Sequence, residues 1–283
     1  MIQIFVDSGA NLSAELREQY NIHLLPMALT INDQPAPEGL DGHEYYEALR
    51  SGADVRTSMV NPDDAKKAFE TYVSQGDDVV YFSISAGISG SWWSAKLAGD
   101  ELMEEYPGRR VCPIDSMGAS LGAGIPALKA SSLVRQGMEL DELVEKMTVY
   151  CQNYCQYFAV DDLKYLRKGG RCSSVAALGA NVLKLKPCLE MREGNLVVCK
   201  KYRGSIEKVY PQYISQRLAG KSVVEDWAFI THSGQVSEET LRELTEQVKA
   251  EAPFREVFIT QAGCTVSSHC GPKTLGVLFL RKE

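Results

Sequence analysis

Short runs of β-branched and aromatic residues recur along the chain, each breaking into a few small polar residues ahead of an amphipathic stretch. Residues 2–6 run into Asp7-Ser8-Gly9, 79–82 into Ser83-Ile84-Ser85-Ala86-Gly87, and 111–114 into Asp115-Ser116-Met117-Gly118. Residues 227–230 run into Thr231-His232-Ser233-Gly234, and 257–260 into Gln261-Ala262-Gly263. Apolar positions spaced three and four apart predict helices over 62–75, 91–106, 119–135, 140–155, 206–218 and 237–250. Strand, polar turn and helix in alternation is the cadence of an α/β fold. Helix starts agree with it. Asn61-Pro62 sets a capping side chain before a proline at the first helical position, and Asp41 with Glu44 three residues later forms a capping box.

The texture changes near residue 156. Residues 157–160 read as a strand, and 185–191, Glu193-Gly194-Asn195 and 196–202 read as a hairpin, which requires an antiparallel pair. Two domains follow: residues 1–156 with a parallel sheet between helices, and residues 157–283 with a smaller two-layer arrangement on a mixed sheet. The chain's 283 residues suit one large or two ordinary domains.

Charge sharpens this division. The chain carries 30 Lys+Arg against 37 Asp+Glu, a net −7, yet the stretch 161–208 is net basic. That segment either forms a solvated face or docks an acidic or phosphate-bearing partner. The longest run without a charged residue, 79–95, is too short and too rich in serine to span a bilayer. With no secretory signal visible in MIQIFVDSGA, the expected location is the cytoplasm. Eight cysteines include no C-x-x-C pair and are expected as free thiols, with Cys151 and Cys155 sharing a helix face. No metal site, cofactor or nucleic-acid partner is expected.

In open parallel sheets ligands bind beyond the carboxyl ends of the strands, which directs attention to residues 83–94. There Ser89-Gly90-Ser91 opens a helix, where unpaired backbone N–H groups and the positive end of the dipole favour an anion. The loop has no Lys or Arg, so its donors are neutral and suit one carboxylate better than a polyphosphate. Gly122-x-Gly124-x-x-Ala127 fits a dinucleotide fingerprint only loosely. Gly87-Ile88-Ser89-Gly90-Ser91 lacks the last glycine of a nucleophile elbow, but leaves a Ser89-centred acyl hydrolase using His232 or His269 as the alternative. Asp7-Ser8 and Asp115-Ser116 read as helix caps, and His269 falls in a polar turn before the last strand, predicted over 275–280.

Taken in order, Val6-Asp7-Ser8, Thr57-Ser58, Ile84-Ser85-Ala86-Gly87-Ile88-Ser89-Gly90-Ser91 and Ile114-Asp115-Ser116 resemble the DegV family of bacterial fatty-acid-binding proteins. The resemblance continues through Asp162-Leu163-Lys164-Tyr165-Leu166-Arg167-Lys168-Gly169-Gly170-Arg171, Leu185-Lys186-Pro187 and His269-Cys270-Gly271-Pro272. It implies a non-catalytic protein that holds a long-chain fatty acid in a tunnel between its domains and presents the carboxylate to a separate fatty acid kinase. It also implies that Thr57, Ser58, Ser89, Gly90, Arg203 and His269 serve the head group, and that Lys168 and Arg171 face the kinase. The chain departs from the family pattern at Met59-Val60, at Trp92, and at Lys273 after Gly271-Pro272. Trp92 and Trp93 are expected to fill core, as large aromatics on helices usually do.

Overall fold

The computed structural model describes residues 1–37, 40, 42–172 and 185–282. The chain divides into two compact units, Met1–Leu29 with Thr57–Gln152, and Thr30–Arg56 with Asn153–Glu283. The passage between units at Gln152 and Asn153 falls close to residue 156, whereas the excursion Thr30–Arg56 goes with the C-terminal part.

The first unit is built on a four-stranded parallel sheet of β1 (Ile2–Asp7), β2 (Ile22–Leu25), β6 (Asp78–Ser83) and β7 (Val111–Asp115), in the order β2-β1-β6-β7. Strands buried on both faces have little need of polar alternation, and Val79, Val80, Tyr81 and Phe82 are all fully buried. Helices α3 (Pro62–Val73) and α4 (Ser91–Glu105) cover one face through Phe69, Ala95, Ala98 and Leu102, packed with Phe5, Tyr81 and Val111. Helix α5 (Leu121–Arg135) packs against β1 and β6 and is buried along almost its whole length. Gly124 lies inside it, where a side chain would come within 2.8 Å of the Ala10 carbonyl. Gly124 of the loose fingerprint therefore serves close helix packing, not a phosphate loop. Asn61 caps α3 as expected, its side chain accepting from Asp63 and Asp64 N–H ahead of Pro62. The proposed cap Asp41 lies outside the described residues.

The second unit carries a six-stranded mixed sheet in the order β10-β9-β8-β13-β11-β12. Its strands are β8 (Tyr154–Ala159), β9 (Leu185–Arg192), β10 (Asn195–Arg203), β11 (Val223–His232), β12 (Glu256–Gln261) and β13 (Leu275–Arg281). Among the described residues of this sheet only β11 and β12 pair in parallel. Helices α8 (Ile206–Leu218) and α9 (Glu238–Glu251) bury one face through Tyr157, Cys188, Ala228, Ile230, Val277 and Phe279. The hairpin turn is two residues, Glu193 and Gly194, both at positive φ, so Asn195 belongs to the strand and not to the turn. The excursion supplies a small sheet, β3 (Leu29–Ile31), β4 (Gln34–Pro35) and β5 (Val55–Thr57), and helix α2 (Gly42–Arg50). It joins this unit through the Tyr46 hydroxyl, which donates to the Ser233 carbonyl, and through Cys264 Sγ, 3.6 Å from the Leu40 carbonyl.

One expected helix is too long. Helix α6 (Leu140–Gln152) stops before β8, so Cys151 is helical, Cys155 is in a strand, and the two share no helix face. Tyr154, Gln156, Tyr157, Phe158 and Ala159 are all buried, because an interior strand is covered on both sides. A continuous apolar run of this kind is indistinguishable by period from the end of a helix.

Candidate functional site

The loop after β6 is held from two directions. Asp7, at the end of the neighbouring β1, accepts from the Ile84 N–H and the Tyr81 hydroxyl, both at 2.9 Å on Oδ2. Asp115, at the end of β7, accepts from Ala86 N–H at 3.2 Å and from Met117 N–H at 2.8 Å. Ser85 N–H donates to the Gly118 carbonyl at 2.7 Å. The two aspartates therefore brace loops; Asp7 also stands at the N-cap position of the short turn Ser8–Ala10, whereas the cap position of α5 is held by Ser120 and not by Asp115. A side chain of this length at a strand end reaches the adjacent strand's loop. Complete burial pushes the Asp7 carboxyl up to about 6, against the bonds from Ile84, Tyr81, Gly9 and Ala10 that favour its ionised form.

This bracing sets Ser89 and Gly90 at the start of the 15-residue helix α4. Ser89 Oγ accepts from Ser91 N–H at 3.2 Å and lies 2.9 Å from Ser91 Oγ, which in turn accepts from Val60 N–H at 3.1 Å. Three serine and backbone groups thus converge, with Ser91 buried and Ser89 half-buried. Among the described residues the Gly90 N–H has no protein acceptor. The Met59 thioether sits over Gly90, where even a methyl group would collide with it. Ser58 is exposed and its N–H donates to the Ala28 carbonyl at 2.9 Å, while Thr57 ends β5 and is half-buried. The geometry is that of a small anion cradle at a helix N-terminus, built from neutral donors.

The remaining candidates belong to the second unit. His269 lies on the short helix α10 (Cys264–Cys270), not in a turn. Its neighbours are small and polar, Thr265, Ser267 and Ser268, and seven residues of helix leave little periodicity to detect. Helix α7 (Leu163–Gly169) packs against α10. Gly169 is required there, since a side chain at that position would strike His269 Nδ1. Burial lowers the His269 imidazole to about 4, with the Arg171 charge adding to the effect, so the ring is neutral near pH 7. Arg171 is exposed and donates to the Gly169 carbonyl at 2.6 Å. Lys168 is exposed and pairs with Asp54 at 3.2 Å. Arg203 is exposed at the end of β10, opposite Leu185. The structure thus brings His269, Gly169 and Arg171 together in one unit and Ser89, Gly90 and Met59 in the other.

Residues 1–282 match the family model described as uncharacterised proteins of the DegV family. The chain belongs to the DegV family. A DegV domain-containing protein of Clostridium perfringens is 31% identical, covering 98% of this chain and 96% of the relative. Among solved structures, a fatty-acid-binding DegV family protein from Thermus thermophilus superposes with a TM-score of 0.87 at 27% identity, with 99% of each chain covered. DegV of Bacillus subtilis, described as a fatty acid binding protein, gives 0.83 at 27% identity, again with 99% of each chain covered.

Within this DegV chain the Ser89 hydroxyl has only Ser91 as partner, and no imidazole is bonded to it among the described residues. His23, the one histidine of its unit, is engaged by Gln3 and Tyr72 instead. The hydrolase alternative gains no support. Trp93 is 62% exposed and does not fill core, whereas Trp92 is half-buried and donates its indole N–H to the Pro113 carbonyl at 3.1 Å. The roles of Tyr81 and Ser91 in supporting the loop were missed from sequence. Their signal was the serine spacing 89 and 91, read as a failed nucleophile elbow. Among the described residues no helix is long and apolar enough to cross a membrane.

Proposed function

We propose that this chain is a non-catalytic carrier of one long-chain fatty acid, holding the carboxylate at the Ser89 loop and presenting it to a separate ATP-dependent kinase in the cytoplasm. The observation that carries the reading is the cradle at the start of α4, where a hydroxyl, an unaccepted Gly90 N–H and the helix dipole converge without a basic side chain. A buried carboxylate costs more than it returns unless several donors meet it, and this loop has them. Description of the Thermus and Bacillus relatives as fatty-acid-binding supports the same class of ligand.

Affinity comes from the acyl chain. Burial is worth roughly 0.8 kcal/mol per methylene, so a chain of about 14 methylenes gains on the order of 10 kcal/mol before the costs of ordering it. The face of the second unit's sheet turned away from α8 and α9 carries Phe158, Leu189, Phe229 and Leu278, with Gly276 in the same rows. Thr57 and Ser58 join Ser89 and Gly90 in the first unit's head-group set in this proposal, Arg203 and His269 are the second unit's candidates for the same role, and the exposed Lys168 and Arg171 provide the kinase-docking charge.

Native mass spectrometry of purified protein tests this. Bound fatty acid is the expected result, and Ser89→Ala should weaken retention by about 10- to 100-fold, the value of one hydrogen bond to a charged group. Protein that is empty and takes up no added fatty acid refutes the proposal. Acyl-phosphate formation only when both this chain and an ATP-binding partner are present tests the presenting role.

A further inference from the structure

The second unit contains a pair of thiols that no head-group reading uses. Along the β9–β10 hairpin Val198 stands opposite Leu189, and the next paired residues are Lys200 and Cys188, so Cys199 is the extra residue of a bulge. A bulge sets two residues against one, which seats Cys199 directly beside Cys188. Both pack on the helix-covered face: Cys188 is buried within the core and Cys199 lies half-buried against it. Cys199 Sγ is 3.3 Å from the Cys188 carbonyl oxygen. Of the two, Cys199, on the edge strand β10, is the less buried residue.

A cation completes the arrangement. Arg217, in the last turn of α8, brings Nη1 to 3.5 Å from Cys199 Sγ and lays its guanidinium over the Tyr157 ring at 5.4 Å. Its Nε is buried without an acceptor, and among the described residues it forms no ion pair with a carboxylate. A half-buried guanidinium without a carboxylate partner favours the anionic form of whatever acid it touches, and here that acid is a thiol. The neighbouring Cys188 side chain holds Cys199 below the ordinary thiol value, Arg217 reinforces this, and burial and Glu190 oppose it. Cys188 is correspondingly pushed up, first by its bond to Cys199 and then by burial.

We propose that Cys199 and Cys188 form a hydroperoxide-responsive dithiol, with Cys199 attacked first, Cys188 resolving, and Arg217 activating. The Cys199 thiolate attacks one oxygen of the hydroperoxide, the O–O bond breaks, and the leaving alkoxide or hydroxide takes a proton to become alcohol or water. Cys199 is then a sulfenic acid. Cys188 attacks its sulfur, the S–O bond breaks, and hydroxide leaves as water with the Cys188 proton. Two thiols are oxidised to one disulfide and one hydroperoxide is reduced. The bridge stitches β9 to β10 four residues before Arg203. This inference does not rest on the fatty-acid proposal.

Hydrogen peroxide at a few equivalents, followed by alkylation and peptide mapping of the folded full-length protein, tests it. The expected product is a Cys188–Cys199 bridge, with Cys112, whose thiol is pushed up by burial, reacting more slowly. Cys188→Ser should leave Cys199 as a sulfenic acid that dimedone traps. Arg217→Met should slow Cys199 oxidation about tenfold and move the pH midpoint of its alkylation upward, a change that a purely structural role of Arg217 would not produce. Preferential oxidation elsewhere, a bridge from Cys199 to Cys172, whose sulfur lies 3.3 Å from the nearby Leu196 carbonyl, or an unchanged rate in Arg217→Met overturns the proposal.

Discussion

Replacing Asp7 by asparagine isolates one buried charge. Asp7 is fully buried, and in the folded protein its carboxyl is pushed up to about 6 from 3.8. Between these values the unfolded chain has released the proton while the folded chain keeps it. Raising the pH through this window therefore favours unfolding, and stability present below pH 3.8 is lost as pH rises through about 6. At ~1.4 kcal/mol per tenfold change in proton affinity, the interval is worth about 3 kcal/mol. Asparagine keeps an oxygen for the Tyr81 hydroxyl and the Ile84 N–H but cannot ionise. Whatever its amide costs in place of the second oxygen is the same at every pH. Urea unfolding of both proteins across pH 3 to 8 should show Asp7→Asn gaining on the wild type by about 3 kcal/mol, with the gain levelling off above pH 7. Carboxylates common to both chains cancel in the difference. A flat difference, or one that favours the wild type as pH rises, would refute the claim that burial dominates the hydrogen bonds.

Other perturbations follow from single contacts. Gly169→Ala drives a methyl group into His269 and should cost about 1–3 kcal/mol in unfolding free energy; Gly271→Ala should cost more, because that residue stands at φ +74° with the Tyr165 ring against it. Asn61→Ala removes the acceptor for two N–H groups at the start of α3 and should lose about 1 kcal/mol, read from the same unfolding curves. The His269 imidazole should show no NMR titration above pH 5, since burial and Arg171 hold it at about 4; the stability linked to it is lost as pH falls from 6.5 toward 4.

Much of this was legible in the chain. Loops at strand ends were visible because a run such as Val79–Phe82 is short, apolar and closed by serine and glycine, and the Ser89 cradle followed from its place before a helical period. Asn61-Pro62 announced α3 because capping is a local event. What escaped depends on distant neighbours. Nothing near Asp7 in sequence reveals that its carboxyl reaches Ile84 and Tyr81 on the neighbouring strand and loop. Cys151 and Cys155 were spaced for a helix, but sheet pairing of β8 with β13 and β9 outweighs that local preference. The excursion Thr30–Arg56 was invisible as part of the second unit, since its tie to Ser233 spans 187 residues. Cys199 and Arg217 gave no signal because only the bulge and the last turn of α8 bring them together.

That excursion also governs the order in which the protein can assemble. As the polypeptide leaves the ribosome, Thr30–Arg56 is made early, while Ser233 and Cys264 are synthesised some two hundred residues later. At translation rates of about 5–20 residues per second, the segment waits on the order of ten seconds or more for the surface it joins. A nascent chain halted before residue 233 therefore exposes Tyr46 without its acceptor, and proteolysis of arrested chains should cut first within this early-made piece.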